Sequence, residues 1–245
     1  MNPIQKETLS LSFPGKTPLS HIVALQFSDV HIGPGFSPHA LEEAVRQMRQ
    51  VHPDLYLFTG DLTGLRPLAR YASFVIEQLR SLQAPLGKWA VWGNHDCCDS
   101  PELFPEVMRR SGFVLLENTY ARLWPGGPVV GGVKDGIHSK PNLRLFQNVQ
   151  APFRLLLLHE PDLIDMAPAN SFDLALAGHT HGEQISLPVI GTVVLPRYGR
   201  RYPAGLYNAA GGKLYVNRGL GTSDFPLRLG VPGELTVFHL CIPSA

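Results

Sequence analysis

The chain has 245 residues, of which 44% are hydrophobic and 17% charged, so it can bury a sizeable core and is not a disordered chain. Its formal net charge of +1 gives no general electrostatic reason to expect nucleic-acid binding. Since no apolar run approaches the ~20 residues of a membrane span, no transmembrane segment is predicted.

The first half of the chain alternates predicted strands with predicted helices. One helix begins at Ser37-Pro38, where serine caps and proline takes the first position, and it ends before Pro53. Another begins at Ser100-Pro101 and closes at Gly112, and a third follows Asp61 and runs to about Leu82. The strands are predicted at 9–14, 22–27, 54–58 and 88–92. Short loops between strands and helices imply that the core strands are parallel.

The second half changes character. Short strands separated by Asn118 and by Pro125-Gly126-Gly127 predict a second sheet, which we expect to be antiparallel. A short helix is predicted at 161–167. The predicted strands are 114–116, 121–124, 129–133, 153–158, 173–177, 184–187, 205–209, 213–216 and 235–241. No linker or repeat divides the chain, so residues 1–245 are predicted to form one α/β (α+β) domain, with two packed sheets and helices outside.

The cellular location and redox state follow from simpler features. Residues 1–17 lack the charged-then-apolar pattern of a secretion signal, so a cytoplasmic location is expected and a peripheral membrane contact stays open. Cys97, Cys98 and Cys241 are too few for a disulfide framework and are expected to be reduced thiols. None of these features indicates the oligomeric state of the protein.

Five of the predicted strands end in residues that can bind metals or move protons. These ends are Asp29-Val30-His31, Gly60-Asp61, Gly93-Asn94-His95-Asp96, His159-Glu160 and Gly178-His179-Thr180-His181. A single strand end of this kind would be ordinary turn chemistry, but five of them predict a shared cleft. If the first strand continued to His31, its alternation would point Asp29 and His31 the same way.

The residue types favour a pair of metal ions. Neutral imidazoles, carboxylates and one carboxamide are ligands for manganese, iron or zinc rather than calcium. The seven candidate ligands exceed what one tetrahedral ion needs, and they are Asp29, His31, Asp61, Asn94, His159, His179 and His181. We therefore expect two divalent ions about 3.5–4 Å apart, with manganese favoured over iron or zinc. Such a pair suits attack on phosphorus by a bridging hydroxide.

In order and spacing, the five motifs resemble those of calcineurin-like metallophosphoesterases. The resemblance implies a β-sandwich flanked by helices, in four α/β/β/α layers. It assigns Asp29, His31 and His181 to one ion. It assigns Asn94, His159 and His179 to the other, with Asp61 as the bridge. His95 would contact the phosphate and protonate the leaving oxygen, and Asp96 would orient His95.

Later motifs are similar to the bacterial YkuE/YaeI-type phosphodiesterase branch of that family. They are Gly182-Glu183-Gln184, Arg201-Tyr202, Gly205-Leu206-Tyr207 and 216–222. The resemblance implies a phosphodiester or pyrophosphate substrate, and some members act on UDP-diacylglucosamine. Two departures bear on substrate choice, because Lys134-Asp135 replaces an acidic pair and Cys97-Cys98 replaces a bulkier residue.

Several alternatives stay open. A nuclease or a broad phosphomonoesterase is the second reading, and a non-catalytic metal-binding scaffold is disfavoured because every ligand and His95 are present. Two arginine-containing segments, 65–71 and 197–202, either overhang the site or are solvated loops. The histidines outside the motifs are read as surface or core residues, and they are His21, His39, His52, His138 and His239.

Overall fold

The computed structural model describes residues 4–13, 19–64, 67–183, 186–187, 191–192, 195–222, 228 and 230–243. The strands are β1 (Ile4–Ser12), β2 (Leu19–Phe27), β3 (Leu55–Phe58), β4 (Lys88–Ala90), β5 (Val114–Leu115), β6 (Thr119–Arg122), β7 (Val129–Gly132), β8 (Arg154–Leu157), β9 (Leu174–Ala177), β10 (Ser186–Leu187), β11 (Gly191–Thr192), β12 (Gly205–Ala209), β13 (Gly212–Val216) and β14 (Gly233–Pro243). The helices are α1 (Pro38–Val51), α2 (Ala72–Arg80), α3 (Asn94–Asp99) and α4 (Leu103–Arg110), with 3-10 turns at Leu68–Arg70, Pro161–Met166 and His181–Glu183. Two six-stranded mixed sheets and a small β10–β11 pair result, which confirms the two-sheet prediction.

The first sheet has the strand order β1-β14-β2-β3-β4-β5. Strands β2, β3 and β4 are parallel, as the short loops predicted, and β5 is parallel to β4. Strand β1 is an edge strand that begins at Ile4. The last strand, β14, lies between β1 and β2 and runs antiparallel to β2. The parallel arrangement brings the carboxyl ends of β2, β3 and β4 to one edge of the sheet.

The second sheet has the order β12-β13-β9-β8-β7-β6. The prediction of an antiparallel sheet is wrong for its centre, because β7, β8, β9 and β13 are all parallel. Only the edge pairs β6–β7 and β12–β13 are antiparallel hairpins. The long excursion from β7 to β8 and the 3-10 turn between β8 and β9 supply the crossovers that parallel strands require. The prediction is also wrong for the strand at 114–116, because β5 belongs to the first sheet.

Alternation along each strand builds the layers. On β2, Ala24 faces the second sheet while Leu25 and Phe27 face the helices. Ser37 Oγ accepts the main-chain N–H of Ala40 at 3.2 Å and caps α1, as predicted. Helices α1, α2 and α4 cover the outer face of the first sheet, whereas the 3-10 turn Pro161–Met166 and nearby loops cover the second.

Some boundaries differ from the predictions. The six-residue helix α3 was not predicted, and α4 begins at Leu103 with Glu102, rather than Ser100, at the cap position. The predicted strand at 184–187 is described only at β10. None of the helices in the described ranges has the length and apolarity to cross a bilayer. That residues 1–245 form one domain stays a prediction.

Candidate metal centre

The five strand ends meet at the shared carboxyl edge of the two sheets. Asp29 and His31 follow β2, Asp61 follows β3, and Asn94 opens α3 just after β4. From the second sheet, His159 follows β8, and His179 and His181 follow β9. All of these residues except the half-buried Asn94 are buried, with side chains that converge from several loops and a helix end.

One cluster brings together Asp29, His31 and His181. Their candidate ligand atoms lie within 4.8 Å of one another. His181 Nε2 is 3.4 Å from Asp29 Oδ1 and 3.1 Å from His31 Nε2. Burial lowers the pKa of His31 to about 4 and that of His181 well below its usual range. The two imidazoles are therefore neutral, which is the form that binds metals.

A second cluster brings together Asp61, His159 and His179, again within 4.8 Å. His159 Nε2 lies 3.2 Å from His179 Nδ1 and 3.1 Å from Asp61 Oδ2. His159 Nδ1 donates to the Thr59 carbonyl at 2.7 Å, and His179 Nε2 donates to the Arg197 carbonyl at 2.9 Å. The bond to Arg197 fixes the tautomer of His179 and leaves its Nδ1 with a lone pair that faces His159 Nε2. Burial acts to lower the pKa of His159, but the adjacent Asp61 carboxylate raises that pKa well above its usual range.

Asp61 connects the two clusters. Its Oδ2 lies 3.1 Å from His159 Nε2 and 3.5 Å from His31 Nε2, while its Oδ1 accepts the main-chain N–H of His95 at 2.9 Å. Burial acts to raise the pKa of the Asp61 carboxyl, but the adjacent His159, through charge and a hydrogen bond, holds that pKa below its usual range. Asp61 is therefore an ionised carboxylate, and its Oδ2 lies between His31 of the first cluster and His159 of the second.

Asn94 supplies an independent test of whether these residues fit a metal ion. Its Oδ1 is buried and accepts no hydrogen bond among the described residues. A buried carbonyl oxygen without a partner is costly unless it has another ligand. Together with the imidazoles and carboxylates, this oxygen completes a set of nitrogen and oxygen donors suited to manganese, iron or zinc. The residues therefore fit a metal ion.

The role predicted for Asp96, to orient His95, stays a prediction. His95 Nδ1 lies 3.1 Å from Asp99 Oδ2, so Asp99 is also placed to orient the imidazole. The buried Asp96 carboxylate accepts the main-chain N–H groups of Gly93, Asp61, Leu62 and Thr63 at 2.8–3.1 Å. Asp96 therefore positions the loop that carries Asp61. The half-buried His95 belongs to a third group with His31 and Asp61, and its ring centroid is 4.9 Å from that of His31.

The loops that carry these residues leave the strand conformation at once. Five of the site residues have φ between 42° and 74°, a left-handed region that costs energy for residues other than glycine, and they are Asp29, His31, Asp61, His179 and His181. Asp29 and His31 are thus not on one face of a continued strand. Gly93 allows close approach, because a Cβ there would lie 2.0 Å from Asp61 Oδ1.

The two segments that were considered to overhang the site, 65–71 and 197–202, are only partly described, since Leu65 and Arg66 lie outside the described residues. Arg201 donates to Asp165 at 2.7 Å, so this arginine pairs with the 3-10 turn. Sequence reasoning also missed Arg228, whose buried guanidinium donates to the carbonyls of Gly221 and His181. No sequence motif marks Arg228. His95 and Asp99 are four residues apart, so a prediction of α3 would also have predicted that their side chains are neighbours.

A two-sheet sandwich whose strand ends gather these carboxylates and imidazoles is the framework of a metal-dependent hydrolase. Residues 22–183 match the family model described as calcineurin-like phosphoesterase. The chain belongs to the calcineurin-like phosphoesterase family, which binds a dinuclear centre of divalent metal ions, and it is a metal-dependent hydrolase of phosphoric esters.

Relatives agree with this assignment, and a solved structure agrees with the fold. The chain is 35% identical over 226 residues to the uncharacterized metallophosphoesterase YkuE of Bacillus subtilis, an alignment that covers 88% of this chain and 78% of the relative. It is 29% identical over 230 residues to phosphodiesterase YaeI of Escherichia coli, covering 88% and 81%. Its fold is similar to the crystal structure of TT1561 from Thermus thermophilus, with a TM-score of 0.52, 14% identity and coverage of 82% and 90%.

Proposed function

We propose that this protein is a phosphodiesterase with a dinuclear centre in which manganese is the resident metal. The observation that carries the proposal is the position of Asp61 Oδ2, 3.1 Å from His159 Nε2 and 3.5 Å from His31 Nε2. An ionised carboxylate between two imidazole groups is suited to bridging two cations. The relative named phosphodiesterase YaeI supports the choice of a diester substrate.

The ligand assignment divides the residues by cluster. Asp29, His31 and His181 hold one ion, and His159, His179 and Asn94 hold the other. Asp61 serves both ions. Two features support the second set of ligands: Asn94 Oδ1 has no hydrogen-bond partner among the described residues, and His179 Nδ1 faces inward. The first set is supported by the 3.1 Å distance between His31 Nε2 and His181 Nε2.

The metal ligands and His95 have different roles around the phosphorus atom. Two divalent ions bound at these ligands would lower the pKa of a water and neutralise the phosphoryl oxygens. His95 is oriented by Asp99 through Nδ1, and its other ring nitrogen, Nε2, would deliver a proton to the leaving oxygen. Its main-chain N–H holds Asp61 Oδ1, so the same residue keeps the bridging carboxylate in place.

Within this class, the finer substrate proposal is a pyrophosphate or diester of a sugar nucleotide, such as UDP-diacylglucosamine. The exposed Arg197 is the arginine that supports it, because its carbonyl accepts a hydrogen bond from His179 and places the residue beside the site. A guanidinium there can bind a second phosphate through two parallel hydrogen bonds. Arg201 provides the matched control, since its side chain is engaged with Asp165.

The test uses metal-free protein reconstituted with manganese, iron or zinc. We expect bis(p-nitrophenyl) phosphate to be cleaved with a higher kcat/KM than p-nitrophenyl phosphate, and manganese to give the highest kcat. A monoester cleaved as fast as the diester would reject the phosphodiesterase proposal. On UDP-diacylglucosamine, Arg197→Ala should lose activity while Arg201→Ala keeps it. Equal losses in the two variants would reject the role given to Arg197.

A further inference from the structure

Cys97, which lies three residues after the candidate ligand Asn94 on α3, lines a pocket that the reaction described above does not use. Its volume is about 240 Å³, and its walls include Trp92, Cys97, Glu117, Lys134, His138 and Ser139. We propose that this pocket binds the non-leaving substituent of the phosphodiester, and that the substituent is an uncharged, hydroxylated group the size of glycerol or one sugar ring. The inference rests on the proposed phosphodiesterase function.

Helix α3 fixes the pocket relative to the metal ligands. Asn94 and Cys97 are three residues apart on α3, so they share a side of the helix, whereas His95 and Cys97 are two apart and lie on opposite sides. Because Cys97 lines the pocket, the pocket lies on the Asn94 side of α3 rather than on the His95 side. Since His95 protonates the leaving oxygen, a group held in the pocket is the substituent that stays on phosphorus.

Buried contacts join the pocket wall to the second metal cluster. The fully buried Asp135 carboxylate lies against the Cys97 thiol, and it also neighbours Glu160, which follows His159 directly in the chain. Asp135 also accepts the main-chain N–H groups of Ile137 and His138 at 2.9 and 3.0 Å. These bonds turn the loop after β7 so that Lys134, His138 and Ser139 reach the pocket.

The lining chemistry selects the class of substituent. Trp92 Nε1 donates to Glu117 Oε1 at 3.0 Å, and Lys134 Nζ lies 3.7 Å from the same oxygen. Both contacts use Oε1, which leaves Oε2 to accept hydroxyl groups. Because the ammonium and the carboxylate offset each other, the pocket carries no excess positive charge for a second phosphate. Lysine, serine and carboxylate groups beside an indole are the mixed polar and apolar lining that binds polyols.

The size of the pocket supports a small substituent. Pockets that enclose whole drug-sized ligands span roughly 300–1,000 Å³, and 240 Å³ is below that range. A glycerol group or a single sugar ring fits this space, whereas a nucleoside with both sugar and base requires more.

The decisive experiment compares two diesters that share a leaving group. Butyl p-nitrophenyl phosphate and 4-hydroxybutyl p-nitrophenyl phosphate differ only in one terminal hydroxyl of the non-leaving substituent, which is too far along the chain to displace p-nitrophenolate through a five-membered ring. The wild-type manganese enzyme should prefer the hydroxybutyl ester in kcat/KM by about tenfold, the value of one hydrogen bond to a charged group. That ratio should fall towards one in Glu117→Ala, in Lys134→Met, and in Ser139→Trp, which fills the pocket. Glu106→Ala, which breaks an exposed ion pair with Arg109 on α4, is the matched control and should keep the ratio.

Two kinetic results would overturn the inference: a wild-type ratio near one, or a preference that survives in all three pocket variants. Titration calorimetry with glycerol 3-phosphate and methyl phosphate separates this inference from the proposed function. Suppose that neither diester is cleaved, but that glycerol 3-phosphate binds wild type more tightly than methyl phosphate does and loses this advantage in the variants. The pocket assignment then stands and the phosphodiesterase proposal fails. Equal binding of both phosphates to wild type would reject the pocket assignment.

Discussion

Replacing Asp96 with asparagine should destabilise the whole site rather than slow one proton transfer. Asp96 Oδ2 accepts the N–H groups of Asp61 and Gly93 at 2.8 and 3.1 Å, and Oδ1 accepts those of Leu62 and Thr63 at 2.9 and 3.1 Å. An asparagine amide can accept on one side only, so two buried donors lose their partner. At ~1–3 kcal/mol for each, the loss is about 2–6 kcal/mol of a typical total of about 5–15 kcal/mol.

Asp99→Asn is the matched control for that substitution. Asp99 contacts His95 at 3.1 Å, but the two side chains are 38% and 27% exposed. An ion pair with this exposure contributes roughly 0.2–1 kcal/mol, so kcat should fall by less than about tenfold while stability is retained. Asp96→Asn should also bind less metal, because its loop carries Asp61.

The assays are urea unfolding in the presence of a chelator, metal content, and kcat on an aryl diester. The chelator is needed because ions that bind only the folded state add to its stability. The reasoning fails if Asp96→Asn unfolds within about 1 kcal/mol of wild type and loses as much rate as His95→Asn, with Asp99→Asn unaffected. In that case Asp96, not Asp99, would act on His95.

Two further substitutions test other parts of the structure. His95→Asn should keep its full metal content and lose about 10²–10⁴ in kcat, and a loss of metal in elemental analysis would make His95 a ligand instead. Lys88→Met should lower the free energy of unfolding by about 2–4 kcal/mol, since the buried ammonium donates to the carbonyls of Leu79 and Ser111 at two helix ends. The exposed Lys140→Met is the control, and equal urea midpoints for the two variants would refute that role for Lys88.

The strand ends were predictable because they follow from one geometric rule. Apolar runs such as 55–58 and 174–177 are buried strands, and parallel strands bring their carboxyl ends to one edge. Asp29 and Asp61, which follow the neighbouring parallel strands β2 and β3, therefore had to lie near each other once those strands were predicted. The capped helix α1 was predictable for a similar reason, since Ser37-Pro38 and an apolar face act locally.

What sequence reasoning missed depends on long-range or irregular structure. The left-handed backbone at Asp29 and His31 is imposed by packing against the 60–62 loop, where the main-chain N–H of Val30 donates to Asp61 O at 2.7 Å. The short polar helix α3 has no apolar periodicity to reveal it, so the pairing of His95 with Asp99 stayed hidden. The insertion of β14 between β1 and β2 joins distant ends of the chain, which no local pattern encodes.

Metal stoichiometry tests the central claim most directly. The two clusters, which Asp61 connects, predict that protein loaded with manganese and freed of excess ion holds about two ions per chain. Asp61→Ala should lose both, because its carboxylate contacts both groups, whereas Asn94→Ala should keep the ion at Asp29, His31 and His181. Elemental analysis of wild type that never exceeds about one ion per chain under added manganese would contradict the dinuclear account.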